Sequence, residues 1–377
     1  MAGYRRWRLL CFLAMSFPGE QPRPTRRFEG STNAAALANG HVGGGVRPAK
    51  DPAASRMPDF FIVGHQKCGT TALYEMLRAH SQIFLPDLKE PRYFLHDDPR
   101  RPSGGPAVSQ VRTRTRTLED YLALFAAARP DQLVGEASPQ YLRSPDAADR
   151  IAELCPDARI IAILREPVAF LRSFHLQMLI SNVEDQKDLA KAIALEEPRR
   201  QGKRIPRNCW QPATLMYSEH VRYVEQLRRF ETRFSRDNML VLIYDDYRRD
   251  NQQAIRAVER FLGVDERHSI RPIQTVPNMA VRFAGLHRLA SAARRARENP
   301  GPGGAGRLGR AVNAFTPAAV RSDAFRSRWR ALVYREPPAP DEQLMRELRR
   351  RFQPEVQALS DYLCRDLVTL WGYDAPV

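Results

Sequence analysis

Cysteine is scarce in this chain. Five residues, Cys11, Cys68, Cys155, Cys209 and Cys364, are scattered through 377 positions with no CxxC spacing. That pattern argues against a disulfide framework and a thiolate zinc site, and it fits a reducing compartment, so a cytoplasmic location is expected. No constellation of metal-ligating side chains is visible, and no metal is expected. Long apolar runs are missing too. After Arg5, Arg6 and Arg8, the run Leu9–Met15 falls short of the ~20 apolar residues that a bilayer-spanning helix needs. The following "PGEQPRPTRRFEG" has no clean small-residue cleavage site, so neither a signal peptide nor an anchor is expected there. No internal repeat is found.

Charge imbalance is confined to two segments. The formal net charge is +16. Residues 1–56 hold nine basic and three acidic side chains, and residues 282–330 hold eleven arginines, no lysine and two acids. The rest of the chain is nearly neutral, so the basicity is not a property of the folded core. These segments favour anionic partners such as a membrane surface or a polyanionic substrate. They do not interleave aromatics with their charges, and no nucleic-acid-binding motif occurs, so nucleic acid is not an expected partner.

What is present reads as an α/β fold. Residues 1–56 are rich in Gly, Ala, Pro and Ser and form an expected disordered leader, with one domain from residue 57 to 377. "DFFIV", "QLVGEAS", "ARIIAILR" and "NMLVLIY" are short apolar strands. Between them run helices. Thr70–His80 places Leu73, Met76 and Leu77 on one face, and Pro167 opens a second helix at its first turn. Tyr217, Val221, Val224 and Leu227 predict one longer helix, and Gly263 closes another after Ile255, Val258 and Leu262. Apolar strands alternating with helices imply a central parallel sheet covered on both faces. Residues 291–311, with five arginines and two prolines among glycines, read as a flexible insert or lid. A final helix is expected over Pro354–Leu370.

The chemistry centres on "FFIVGHQKCGTTAL", Phe60–Leu73. Strand, tight turn and helix N-terminus together make an anion site, because the first helical turn leaves N–H groups free and the helix dipole adds partial positive charge. Gly64 and Gly69 have the spacing of a Walker A loop, and Thr70 and Thr71 add hydroxyl donors. That loop puts lysine after its second glycine. Here Thr70 takes that place, and Lys67 lies inside the loop. Cys68, at a helix N-terminus, is a candidate for a lowered thiol pKa.

A lysine so placed gives the segment its likeness. "GHQKCGTTAL" resembles the 5′-phosphosulfate-binding loop of sulfotransferases that use 3′-phosphoadenosine 5′-phosphosulfate (PAPS). "IIAILREPVAFLRSFHLQM" resembles their 3′-phosphate-binding strand and helix, with Arg165 ending the strand and Ser173 eight residues on. "LPDLKEPRYF" resembles a "KEPHFF"-type segment of carbohydrate and bacterial sulfotransferases, from which Tyr93 departs, and "GEASPQYL" their "EKSPxYF" segment. The resemblance covers roughly residues 57–281. It is greatest to the group holding the heparan sulfate sulfotransferases and their bacterial relatives.

The resemblance implies a P-loop-like fold and sulfuryl transfer from PAPS to a hydroxyl or amine of a carbohydrate, glycolipid or small molecule. It implies that Lys67, Cys68, Gly69, Thr70 and Thr71 hold the phosphosulfate and that Arg165 and Ser173 grip the 3′-phosphate. An arginine suits that task because its planar fork gives two charge-assisted bonds. Lys67 would also stabilise the leaving phosphate. Glu90 would be the general base, with Lys89 tuning it or binding an acidic acceptor. His96 is the rival base, with Glu136 and His175 behind it. Tyr141 would line the acceptor site, and Arg282 would reach the nucleotide from the C-terminal side. The competing readings are a P-loop kinase or nucleotide hydrolase, for which Asp245 and Asp246 offer a metal-binding carboxylate at a strand end, and a non-enzymatic basic protein that binds nucleic acid or membrane through the arginine-rich segments. Oligomeric state is not legible.

Overall fold

Five short strands rank side by side in the order β2-β3-β1-β4-β5, all parallel. They are β1 (Phe60–Gly64), β2 (Ile83–Phe84), β3 (Leu133–Ala137), β4 (Arg159–Leu164) and β5 (Met239–Ile243). β1 is buried along its whole length, as its unbroken apolar run requires of a central strand. Phe60 lies beside Gly135 on β3 and beside Arg159 on β4, and the β1–β4 register shifts between Ile62 and Gly64. This computed structural model describes residues 56–95, 117–209, 211–267, 279–283, 285, 328–329 and 332–374. The expected leader through residue 55, the insert at 291–311 and His96 lie outside them.

Helices fill the connections and pack on the sheet. They are α1 (Thr70–Arg78), α2 (Leu118–Ala123), α3 (Ala147–Leu154), α4 (Pro167–Ile180), α5 (Leu189–Ala194), α6 (Glu196–Arg200), α7 (Tyr217–His220), α8 (Tyr223–Glu231), α9 (Tyr244–Arg249), α10 (Asn251–Leu262), α11 (Glu342–Leu363) and α12 (Leu367–Leu370). Two-residue strands β6 (Ala280–Val281) and β7 (Tyr334–Arg335) pair antiparallel, and β6 packs on α4. One continuous apolar core joins β1, β4, α1 and α4 to Val356 and Leu359 of α11.

Two expectations change. The long helix expected through Tyr217 and Leu227 is two, α7 and α8, because the chain turns at Arg222. The buried Gln226 amide donates to the carbonyls of Glu219 (2.9 Å) and His220 (3.1 Å), drawing off acceptors a continuous helix would use. The C-terminal helix begins at Glu342, where the Asp341 carboxylate caps Gln343 and Leu344, so Pro354 lies inside it. That helix stops at Cys364 in a left-handed conformation (φ 50°). Strand β2, too short to read from periodicity, widens the sheet beyond β3.

β1 sits where the strand order reverses: the chain fills one side of it with β2 and β3, then crosses to β4 and β5. In doubly wound sheets ligands bind at the carboxyl ends of the strands at such a point. The loop after β1 opens there.

Candidate active site

The loop from Gly64 to Gly69 is held from both sides. A Cβ on Gly64 would come within 2.6 Å of Leu142, whose N–H donates to the Val63 carbonyl (2.8 Å). Gly69 has φ 86° and lies against the rings of Tyr244 and Tyr247 of α9. Lys67 takes φ 61° as well, an uncommon left-handed conformation for a residue with a side chain.

Gly69 caps α1 with no side-chain hydrogen bond, and no acid stands in the first turn. The amides that open α1 therefore keep their pull on an anion. The start of α4 differs. The Glu166 carboxylate accepts from the N–H of Val168 (2.9 Å) and Ala169 (2.5 Å), and from the Tyr373 hydroxyl. That helix end is already neutralised, so the anion-seeking groups beside it are side chains.

The long-range fold brings Lys67 and Arg165 together. An Arg165 Nη1 donates to the Lys67 carbonyl oxygen (3.2 Å), across 98 residues of chain. The guanidinium lies 4.7 Å from the centroid of Tyr244, and the Arg165 carbonyl accepts from the Tyr223 hydroxyl (2.9 Å). Lys67 Nζ donates to Gln177 Oε1 (3.3 Å) on α4, one turn beyond Ser173. Burial, with the Arg165 charge beside it, lowers the Lys67 ammonium to about 8. Two cations near enough for one to depress the other's pKa, with only a neutral amide on the lysine, make an anion trap. Thr70 is buried, Thr71 half-buried, and Ser173 on α4 only 1% exposed. Arg282 follows β6, with its N–H donating to Val333 (2.7 Å) and its guanidinium over Phe283 (5.4 Å).

The Cys68 expectation fails. The thiol is fully buried and donates to the Gln66 carbonyl (3.3 Å). Burial pushes it up to about 12, outweighing the nearby Arg165 and Lys67 charges that favour the thiolate. Only its main chain can face a ligand.

Glu90 stands on the loop after β2, and its N–H donates to Ala137 at the end of β3 (3.0 Å). Oε1 accepts from Lys89 Nζ (3.1 Å), and Oε2 from Arg92 Nη2 (2.6 Å) and Gln140 Nε2 (3.1 Å). Burial works to raise its pKa, but Lys89 and Arg92 overcome that and hold the carboxyl well below the usual carboxylate range. Lys89 thus forms an ion pair with Glu90. Tyr141 corrects another expectation. It is buried beneath this loop, accepting from the Phe94 N–H (3.3 Å), and does not line an open acceptor site. His175 is buried with Nε2 against the Gln186 carbonyl (2.8 Å), which gives it a structural place.

The aspartates of the kinase reading are engaged elsewhere. Asp245 accepts from the Trp371 indole (3.0 Å), and Asp246 from Arg365 and Arg249 (2.9 Å). They fasten the C-terminal segment to α9, with the Asp245 carboxylate still near enough to the loop for its charge to oppose ionisation of Cys68. Gln177, Arg92, Gln140 and Tyr244 escaped the sequence reading. Gln177 carried a signal, standing four residues after Ser173 and so on its face of α4.

An open helix N-terminus, a loop lysine and a second cation at the switch point of a parallel sheet define an anion-binding α/β protein. Comparison gives the family. The model of the sulfotransferase family matches residues 58–268, more than half of the chain, and the protein belongs to that family. It is 28% identical over 254 residues to carbohydrate sulfotransferase 15 of Mus musculus, covering 55% of this chain and 44% of that one. It is 31% identical over 139 residues to heparan sulfate glucosamine 3-O-sulfotransferase 6 of Mus musculus, covering 36% and 34%. The chain therefore spans less than half the length of these curated relatives. A sulfotransferase from Alicyclobacillus acidocaldarius superposes with a TM-score of 0.51 at 28% identity, over 71% of this chain and 100% of that one.

Proposed function

We propose that the protein transfers a sulfuryl group from PAPS to a hydroxyl of a carbohydrate acceptor. The observation that carries this reading is the pairing of Lys67 with Arg165: a loop cation beside a second cation, for a co-substrate phosphorylated at both its 5′ and 3′ positions. The named relatives act on carbohydrates, which supports the acceptor class. An amine is the alternative acceptor group.

In this reading the loop amides of Lys67, Cys68 and Gly69, with Thr70 and Thr71, hold the 5′-phosphosulfate. Arg165, Ser173 and Arg282 hold the 3′-phosphate, with Ser173 turning toward it on binding. The acceptor oxygen forms a bond to sulfur as the bond from sulfur to the bridging oxygen breaks. Adenosine 3′,5′-bisphosphate leaves, and Lys67 takes up the charge on its 5′-phosphate. A preorganised donor in that position is worth ~3–4 kcal/mol of barrier. The acceptor proton goes to Glu90. Two donors occupy Glu90 Oε2 and one occupies Oε1, so Oε1 has the lone pair left for the proton. A carboxylate so weakly basic takes the proton late, once bonding to sulfur has made the acceptor hydroxyl acidic. A cytoplasmic location remains part of the proposal and rests on the cysteine spacing alone.

Calorimetric titration with adenosine 3′,5′-bisphosphate and with ATP, beside Lys67→Ala and Arg165→Ala, tests the nucleotide. The bisphosphate binds the wild type at micromolar affinity, ATP binds at least tenfold more weakly, and Arg165→Ala removes the difference. Labelled PAPS with heparan sulfate, chondroitin sulfate or a neutral oligosaccharide then tests the acceptor. Preferential binding of ATP with magnesium would overturn the reading.

A further inference from the structure

Among the described residues, Glu136 is the one carboxylate on a strand of the five-stranded sheet, and the reaction just described makes no use of it. It is fully buried on β3. Its partners are hydroxyls: Ser138 Oγ donates to Oε1 (2.6 Å) and Tyr121 of α2 donates to Oε2, and the Tyr141 hydroxyl nearby also favours the charged form. Tyr74 of α1 also feels its charge, and Tyr93 stacks on Tyr121 with centroids 4.5 Å apart. Burial raises this acid to about 7, against the pull of the three hydroxyls.

Two of these hydroxyls do a second job. Ser138 Oγ accepts from the Arg92 N–H (3.1 Å), and Tyr141 Oη from the Phe94 N–H (3.3 Å). A hydroxyl has one proton to give, and here it can accept from the loop while donating to the carboxylate. One chain of hydrogen bonds therefore runs from the Arg92 N–H of the Glu90 loop through Ser138 into the buried anion, each bond polarising the next, and the Tyr141 hydroxyl holds the Phe94 N–H beside it. The loop needs such an anchor. Glu90 and Arg92 take φ 61° and 60°, on either side of Pro91, and a residue before proline ordinarily prefers an extended conformation. Arg92 also carries the guanidinium that grips Glu90.

We propose that Glu136 is a positioning residue: as a carboxylate it ends the Arg92–Ser138 chain, fixes the strained Glu90–Phe94 loop, and so sets Glu90 and Arg92 for proton transfer. When Glu136 is protonated, its own O–H must find an acceptor. The Ser138 hydroxyl must then reverse, and its hold on Arg92 changes. The proposal rests on the assignment of Glu90 as base.

The test pairs a readout that needs no acceptor with one that does. Hydrogen–deuterium exchange of loop peptides, corrected for intrinsic rates, is compared at pH 8 in wild type, Glu136→Gln and Ser138→Ala. Sulfuryl transfer from PAPS to heparan sulfate is measured across pH 5.5–8.5, with bisphosphate affinity by calorimetry. Both variants should exchange the loop amides at least tenfold faster and lose at least tenfold in kcat, with bisphosphate affinity within twofold of wild type. Wild-type kcat should fall as pH drops through about 7, and Glu136→Gln should lack that limb. Unchanged exchange overturns the anchor, and faster exchange with unchanged kcat overturns the positioning role. If Glu136→Gln does not fold, Ser138→Ala decides both points. A wild type that neither binds the bisphosphate nor transfers sulfuryl would instead sink the sulfotransferase reading and the catalytic part of this proposal, leaving the exchange data to judge the anchor.

Discussion

Lys67 should make nucleotide affinity fall steeply with pH in a range where most proteins show no change. Its ordinary pKa of 10.5 is lowered to about 8 by burial and by Arg165. The difference, at 1.36 kcal/mol per unit, is roughly 3 kcal/mol of ammonium destabilisation in the empty site. A bound phosphate dianion opposes both causes and restores the ammonium. Binding above pH 8 must therefore first return a proton to Lys67, and the dissociation constant should approach a tenfold rise per pH unit, or roughly 50-fold from pH 8 to 10. Stability of the empty protein moves the other way. Between 8 and 10.5 the unfolded chain holds this proton and the folded chain does not, so the Lys67 contribution to stability rises with pH. The Cys68 thiol beside it, pushed up to about 12 by burial, stays protonated in this range. Calorimetric titration of adenosine 3′,5′-bisphosphate at pH 7, 8, 9 and 10, in wild type and Lys67→Met, reads the slope. Affinity that is flat with pH in the wild type, or a slope that persists in Lys67→Met, would refute the reasoning.

Two further substitutions probe the scaffold. Gly69→Ala forces a side chain into φ 86° and brings a Cβ to 3.0 Å from Tyr247 Cε1. The conformation costs ~1–2 kcal/mol, so bisphosphate affinity should drop at least tenfold; an unchanged dissociation constant would show that the loop tolerates another path. Glu184→Ala strands Arg199, whose side chain, like that of Glu184, is 0% exposed in their 2.8 Å ion pair. Leaving one buried charge unpaired costs ~3–5 kcal/mol, to be read as a shift of the urea midpoint. A loss below about 1 kcal/mol would mean that water reaches the guanidinium.

The sequence alone determined what local pattern determines. Strand identity followed from unbroken apolar runs such as Phe60–Val63 and Ile160–Leu164, because a strand buried on both faces has no place for polar residues. The glycines and lysine of the loop were legible for the same reason: an anion site on a helix N-terminus needs a particular backbone path within a few residues. Tertiary structure decided what depends on distant neighbours. Only packing shows that Cys68 is inert, since burial outweighs the helix end that sequence position suggests. It alone brings Arg165 to Lys67, gives Gln177 to the lysine, and spends Asp245 and Asp246 on the C-terminal helices. The Glu90 setting is of this kind as well. Its donors come from Lys89, Arg92 and Gln140, and its loop hangs from hydroxyls on β3 and beyond. Charge and hydrogen-bond terms act through space over a few ångströms, and the sequence does not record which distant residues the fold brings that close.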